Sequence, residues 1–383
     1  MIPVRYNVRS LAVRKTTTIA TAAGIGLVVF VLASSLMLAA GVRKTLGLSG
    51  RRDVALVMRK GSDAELGSSI EDPQVGLLGS LSGVRRGPRG ALVSGEVIVV
   101  AAMEKLGASG VSNVQLRGMT EQSHELRPQF KLVSGRLPRA GADEVLVGQR
   151  LRGRFRGLDL DGSFDLRKNR PVKVVGIFSD GGSSYESEVW VDLDVLRTSY
   201  RREGFVSSVR VQLESEGKFD GFQALVERDK RLGLQAMREA TYFEKQSEGT
   251  SLFITVMGSV VSVFFALGAM ITMYAAVASR QREIGTLRAL GFSRSAVLGS
   301  FLLESVLLAT AGGVMGAAAS VAMGTVHFSM INYASWSEVV FRFEPTAAIL
   351  GQSVGFAAVM GLVGGLLPAV RAARIAPAVA MRG

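Results

Sequence analysis

Side chains that attack, bind metal or shuttle protons are scarce in this 383-residue chain. It has no cysteine and two histidines, His124 and His327. That excludes disulfides, zinc–thiolate sites, iron–sulfur clusters and a cysteine nucleophile, and two histidines are too few to expect a histidine-based metal site. His124, in Gln-Ser-His-Glu-Leu-Arg-Pro, reads as a loop or surface histidine. The chain has no G-x-x-x-x-G-K-[ST] loop, so no Walker-type nucleotide site of its own is expected, and no H-E-x-x-H, G-x-S-x-G or EF-hand pattern. Gly181-Gly182 beside Ser183-Ser184 reads as a turn, not a phosphate cradle. The expectation is a chain that is not an enzyme and binds no cofactor or metal.

What remains is one compact segment, one isolated acid and several glycines. The segment 280–294 reads RQREIGTLRALGFSR. Ile284, Leu287 and Leu290 fall on one face at helical spacing, with Arg282, Glu283 and Arg288 exposed, and Gly291 stops the helix. A short amphipathic helix of this kind suits docking in a groove of another protein. With no ATP site in this chain, an ATPase subunit is the natural partner. Glu304 is the only acid within an apolar block, where an unpaired charge costs several kcal/mol, so pairing with an arginine on the cytoplasmic side is the favoured reading. Gly312-x-x-x-Gly316, Gly351-x-x-x-Gly355 and Gly361-x-x-x-Gly365 place small residues where helix backbones can approach closely, within the bundle or between two copies.

The elements that must position these residues are four apolar blocks, which account for a composition that is 48% hydrophobic and 20% charged. Residues 19–40 and 251–278 carry no charge, 295–326 carry only Glu304, and 346–370 carry none. At 1.5 Å per residue the first is about 33 Å long, enough for a hydrocarbon core of about 30 Å. It is too long for a usual signal-peptide core, so an uncleaved anchor is expected. Arg5, Arg9, Arg14 and Lys15 precede it; Arg280, Arg282, Arg288 and Arg294 lie in 279–294; Arg371, Arg374 and Arg382 lie in 371–383. These eleven basic residues, against one acid (Glu283), place both termini and the 279–294 segment in the cytoplasm and supply most of the net charge of +13.

Between the first two spans, 41–250 alternates short β-type runs with polar turns: Val54–Met58, Glu96–Val100, Val111–Leu116, Glu144–Val147, Val172–Phe178, Glu188–Val191 and Val206–Leu213. Helical spacing in 219–232 completes an α+β pattern, and 240–250 can extend the second span outward as a stalk. The basic runs around Arg150–Arg156 and Arg167–Arg170 lack a stacking aromatic set, so nucleic acid is not an expected partner.

The stretch from Arg282 to Arg294, followed by Phe301-Leu302-Leu303-Glu304, resembles the coupling region and third helix of FtsX/MacB-type (type VII, mechanotransmission) ABC transporter permeases. So does the tail Gly364-Gly365-Leu366-Leu367-Pro368-Ala369 with Arg371, Arg374 and Pro377. Upstream, Gly135-Arg136-Leu137-Pro138, Glu144–Gly148 and Val174–Ile177 resemble the family's periplasmic domain, and Asn7–Leu11 before Arg14-Lys15 resembles its juxtamembrane helix. By the length of its domain the chain is most similar to the MacB and lipoprotein-release (LolC/LolE-like) branches, without a fused ATPase domain.

The resemblance implies an α-helical membrane protein of four transmembrane helices with an α+β periplasmic domain inserted between helices 1 and 2. The division is 1–18 cytoplasmic, 19–40 first span, 41–250 domain and stalk, 251–278 second span, 279–294 coupling helix, 295–326 third span, 327–345 a short periplasmic loop, 346–370 fourth span, 371–383 cytoplasmic tail. It further implies a bacterial inner-membrane permease that pairs with a second copy or sister subunit. Two copies of an ABC ATPase, binding ATP and Mg, drive it, and a periplasmic adaptor or outer-membrane component is a further partner. Glu283, Ile284, Leu287, Arg288, Leu290 and Gly291 are its expected coupling contacts. The expected work is export or extraction of lipophilic substrates or lipoproteins; the alternative is an FtsX-like transmitter that activates a periplasmic cell-wall hydrolase.

Overall fold

The computed structural model describes residue 9 and residues 13–107, 110–278 and 280–374. The motif at 7–11 and the tail beyond 374 lie, apart from Arg9, outside the described residues. The chain divides into two compact units, one of residues 1–41, 251–327 and 342–383, the other of 42–250 and 328–341.

The first unit is helical. α1 (Lys15–Gly47) is the longer form of the first apolar block. A second long helix, Glu239–Ala278, is continuous from the polar 240–250 stretch through the second block. The helix Arg294–Val321 holds Glu304, and Ala347–Arg374 is the last. All four are long and apolar enough to cross a membrane. Glycines let them approach: a Cβ on Gly316 would collide with the Gly26 carbonyl, and one on Gly312 would sit 2.5 Å from the Ala22 oxygen. Gly361 and Gly365 abut Ser305 and Ala309 in the same manner, so these two motifs pack within the bundle. Gly351 and Gly355 face open space.

The second unit is a ten-stranded mixed sheet. Its strands are β1 (Val54–Arg59), β2 (Val93–Glu104), β3 (Val111–Met119), β4 (Phe130–Gly135), β5 (Glu144–Gly148), β6 (Ser163–Arg167), β7 (Arg170–Asp180), β8 (Glu188–Asp192), β9 (Ser208–Gln212) and β10 (Leu234–Arg238). The order is β10-β1-β9-β2-β3-β8-β5-β7-β4, with β6 on β7. β3 with β8 and β5 with β7 are parallel; the rest are antiparallel.

Side chains alternate between the faces of a strand, and here the two faces differ in kind. Val209 and Val211, Val97 and Val99, Val114 and Leu116, and Val189 and Val191 point into one apolar core. Short helices cover it with Leu193, Val195 and Leu196 (helix Leu193–Tyr200) and Phe219, Phe222 and Val226 (helix Phe219–Arg228). The intervening residues on those adjacent strands are Arg210, Glu96, Gln115, Arg117, Glu188 and Trp190, and they occupy the reverse face.

The 327–345 segment, expected as a loop, forms a hairpin of β11 (His327–Asn332) and β12 (Ser337–Arg342). Its residues 328–341 belong to the sheet unit. Ser337–Phe341 are buried there because the inserted domain supplies partners: Arg150 donates to the Val340 carbonyl at 2.6 Å, and the Val340 N–H donates to Ser187 at 3.1 Å. Asn113 donates to the Trp336 carbonyl at 2.9 Å.

Candidate functional site

The segment expected to couple to an ATPase is described from Arg280 onward. The helix Gln281–Ala289 ends at the cap residue Leu290, and Gly291 follows at φ +90°, a left-handed conformation that glycine adopts without strain. Ser293 then caps the next helix, its Oγ accepting from the Ala296 N–H at 3.2 Å.

The expected apolar face splits at this cap. Leu287 packs against Val297, Phe301 and Ala369 of its own unit, whereas Leu290 is 70% exposed. The side chains of Ile284 and Arg282 lie outside those described. The charges also differ from the expected solvent-facing set. Glu283 is paired with Arg14 and, at 3.1 Å, with Arg280. Arg280 is buried, donates to Glu304 at 2.7 Å and lies over the Phe301 ring at 5.1 Å. Glu304 is therefore paired with an arginine at the start of the 280–294 segment. Arg288 donates to the Phe292 carbonyl at 3.1 Å, which leaves its Nε buried without a partner.

The sheet unit contains a polar constellation that motif reading missed. Arg117, Arg127 and Arg210 are buried with Glu65, Glu96, Glu188 and Glu239. Arg117 bonds Glu188 at 2.6 and 2.8 Å and Glu96 at 2.8 Å. Arg127 grips both oxygens of Glu96 at 2.8 and 2.9 Å. Arg210 bonds Glu96 at 2.6 Å, Glu65 at 2.9 Å and Glu239 at 2.8 Å. Tyr185 lies between, with the Arg127 and Arg117 guanidiniums 4.7 and 5.1 Å from its ring. Burial alone would raise the Glu65 carboxyl; Arg210 and Arg117 override it and hold it down to about 2, and Glu96 is held low in the same way. The signal in the sequence was a charge flanked by core residues within a strand: Val-Arg-Val at 209–211, Leu-Arg-Gly at 116–118, Gly-Glu-Val at 95–97.

This cluster holds the two ends of the 51–239 stretch of the sheet unit, at Arg51 and Glu239. Glu239 is the first residue of the Glu239–Ala278 helix, and its carboxylate also accepts the Arg51 N–H, just beyond α1, at 3.1 Å. Glu338 of the β11–β12 hairpin, also buried, pairs with Lys105 at 2.6 Å and Arg154 at 3.3 Å. No group of three or more metal-ligating side chains occurs among the described residues. The Gly181-Gly182 turn has positive φ at both residues, and the Gly182 N–H donates to Glu186 at 2.9 Å. His124 lies in the short helix Glu121–Glu125, its ring tilted against those of Phe130 and Trp190.

Residues 17–228 match the family described as MacB-like periplasmic core domain, and 251–377 match the FtsX-like permease C-terminal family. Among similar relatives, the uncharacterized ABC transporter permease YknZ of Bacillus subtilis is 28% identical over 56% of this chain and 54% of its own. The macrolide export ATP-binding/permease protein MacB of Escherichia coli K12 is 28% identical over 57% of this chain and 35% of its own. The chain thus spans about half of the first and about a third of the second. Among solved structures, the extracellular domain of YknZ covers 48% of this chain and 100% of its own at 19% identity and TM-score 0.35. The periplasmic region of MacB from Actinobacillus actinomycetemcomitans covers 49% and 90% at 14% identity and TM-score 0.37. With four apolar helices and a MacB-like periplasmic domain between the first and second, the chain belongs to the MacB/FtsX-type ABC transporter permease family.

Proposed function

We propose that this chain is a mechanotransmission permease that couples ATP hydrolysis in a separate ABC ATPase subunit to motion of its periplasmic domain, and thereby exports or extracts lipophilic substrates or lipoproteins. It acts as a dimer, with itself or a sister permease, and two ATPase copies. It resides in the inner membrane with both termini cytoplasmic, the side to which the basic residues near the span ends assign them. ATP and Mg belong to the ATPase.

The carrying observation is Leu290. A large apolar side chain that is 70% exposed at the end of a nine-residue helix, fixed from behind by Leu287, is shaped for insertion into a partner's groove. Burying a leucine contributes about 1.5–3 kcal/mol, enough to dominate a small docking contact. Because Glu283 is engaged by Arg14 and Arg280, it orients the helix from its own side and contacts the ATPase less directly. The test is ATP hydrolysis by the copurified ATPase with and without this chain. Leu290→Asp should abolish the stimulation while the periplasmic domain keeps its unfolding transition; undiminished stimulation would reject the coupling assignment.

A further inference from the structure

Beside the charged cluster, the reverse face of the sheet turns aromatic. Trp190 of β8 stacks on Phe178 of β7 at 3.8 Å and on Phe130 of β4 at 5.5 Å. Against this face a cavity of about 410 Å³ opens, with Phe130, Leu146, Trp190 and Met119 among its lining and Arg139 and Ala140 at its exposed side. That volume is within the range of small-molecule sites, and an apolar floor lies beneath a rim of charged side chains.

One polar group there is unengaged. His124 lies 4.9 Å from Phe130 and 5.8 Å from Trp190, ring to ring, and its Nδ1 is enclosed without a partner. Burial, with Arg127 nearby, brings its pKa down to about 4, so the imidazole is neutral at pH 7 and carries one proton. A proton on the enclosed Nδ1 would strand a buried donor. We assign the proton to Nε2, which is not among the enclosed atoms that lack a partner. The rim charges nearly cancel: Arg89 is paired with Glu121 at 2.6 Å, and the Asp192 carboxylate caps the Leu193–Tyr200 helix. Arg139 and Glu125 add one charge of each sign.

We propose that this cavity binds an uncharged lipophile bearing a hydrogen-bond acceptor, with its aromatic or alkyl body on Phe130 and Trp190 and its carbonyl or hydroxyl oxygen accepting from His124 Nε2. The Trp190 indole N–H donates to Glu188 at 3.2 Å, so the ligand would rest one side chain away from the cluster that holds Glu239. Calling this ligand the cargo rests on the export reading above. Binding itself is read without ATP or ATPase, so the failure of one is distinguishable from the failure of the other.

The experiment is photolabelling of the full chain in lipid nanodiscs with 4-benzoyl-N-hexylbenzamide, an uncharged benzophenone amide, followed by peptide mapping. Saturable labelling of the 119–130 and 137–146 segments is expected, displaced by excess N-hexylbenzamide. Ala140→Trp, at an exposed position, should fill the cavity and remove it. His124→Phe keeps the ring but deletes the donor, and should raise the half-saturating concentration roughly three- to tenfold, as one net hydrogen bond would. Labelling that rises without saturation, or that neither Ala140→Trp nor the competitor reduces, overturns the proposal.

Discussion

Arg210 and Glu239 meet at 2.8 Å where β9 of the sheet faces the first residue of the Glu239–Ala278 helix. Both are buried, and Tyr185 bridges them by donating to Glu239 at 3.0 Å while accepting from Arg210 at 3.1 Å. Removing one member of a buried pair strands the other, typically at about 3–5 kcal/mol, whereas a matched apolar replacement of both can be neutral. Arg210 also pairs with Glu65 and Glu96, so Arg210→Met takes a cation from three carboxylates: Glu96 keeps Arg117 and Arg127, Glu65 keeps Arg117, and Glu239 loses its ion pair. It should lower urea-induced unfolding stability of the domain by at least that amount. Glu239→Gln keeps the hydrogen-bonding shape and should cost less. Equal losses in the two variants would mean that the cluster acts by packing and not by charge.

The same cluster sets a pH response with two windows. Glu65 is depressed from 4.5 to about 2, so its pairing stabilises the fold above pH 4.5 and that contribution is lost as pH falls from 4.5 towards 2. His124 is depressed from 6.5 to about 4 by burial and Arg127; the unfolded chain takes up its proton first, so stability declines as pH falls from 6.5 to 4. Unfolding curves at stepped pH should show both declines in the native chain. His124→Phe should flatten only the upper one, and an unchanged slope between pH 6.5 and 4.5 would contradict a buried neutral imidazole.

Length and absence of charge made the four apolar helices legible, because a spanning helix must satisfy its backbone internally and that demand is local. Gly291 was legible for the same reason: a helix stop needs only its own φ. Leu290 shows where spacing fails. Counting in steps of three puts it beside Leu287, but the helix ends at Ala289, and the cap turns Leu290 away from the bundle. The charged cluster was harder still. Glu96 and Arg210 are 114 residues apart, and only the order β9-β2-β3-β8 brings their strands side by side. The β11–β12 hairpin was read as a loop because its burial depends on partners such as Arg150 and Ser187, supplied from elsewhere in the sequence.

That hairpin yields a further expectation at Glu338. It is 3% exposed, and although burial would raise its carboxyl, bonds from Lys105, Ser112 and Ser329 hold it down to about 2. Lys105 is one-third exposed and can turn to water when the acid is removed, so Glu338→Ala should cost a modest 1–3 kcal/mol or so. The loss should be local. Amide hydrogen exchange across 328–341 should quicken by about tenfold or more while β2 and β3 keep their protection. Uniform acceleration of the whole domain would mean that the hairpin is part of its cooperative core.

Arg280 and Glu304 test the reading of the intramembrane acid. Their 2.7 Å contact joins the start of the coupling segment to the Arg294–Val321 helix, and Arg280 extends it to Glu283 at 3.1 Å. In an apolar bundle a buried guanidinium that loses one of its carboxylates is more costly than an absent one, even with Glu283 still beside it. Glu304→Gln should therefore destabilise the detergent-solubilised protein by several kcal/mol, and Arg280→Met with Glu304→Leu together should recover most of that loss. A proton-carrying role for Glu304 makes the opposite demand. It would leave Glu304→Gln stable but remove the pH dependence of stimulated ATP hydrolysis, and the double variant would be inactive however stable. Thermal stability and the pH profile of the three chains, measured side by side, separate a structural pair from a proton site.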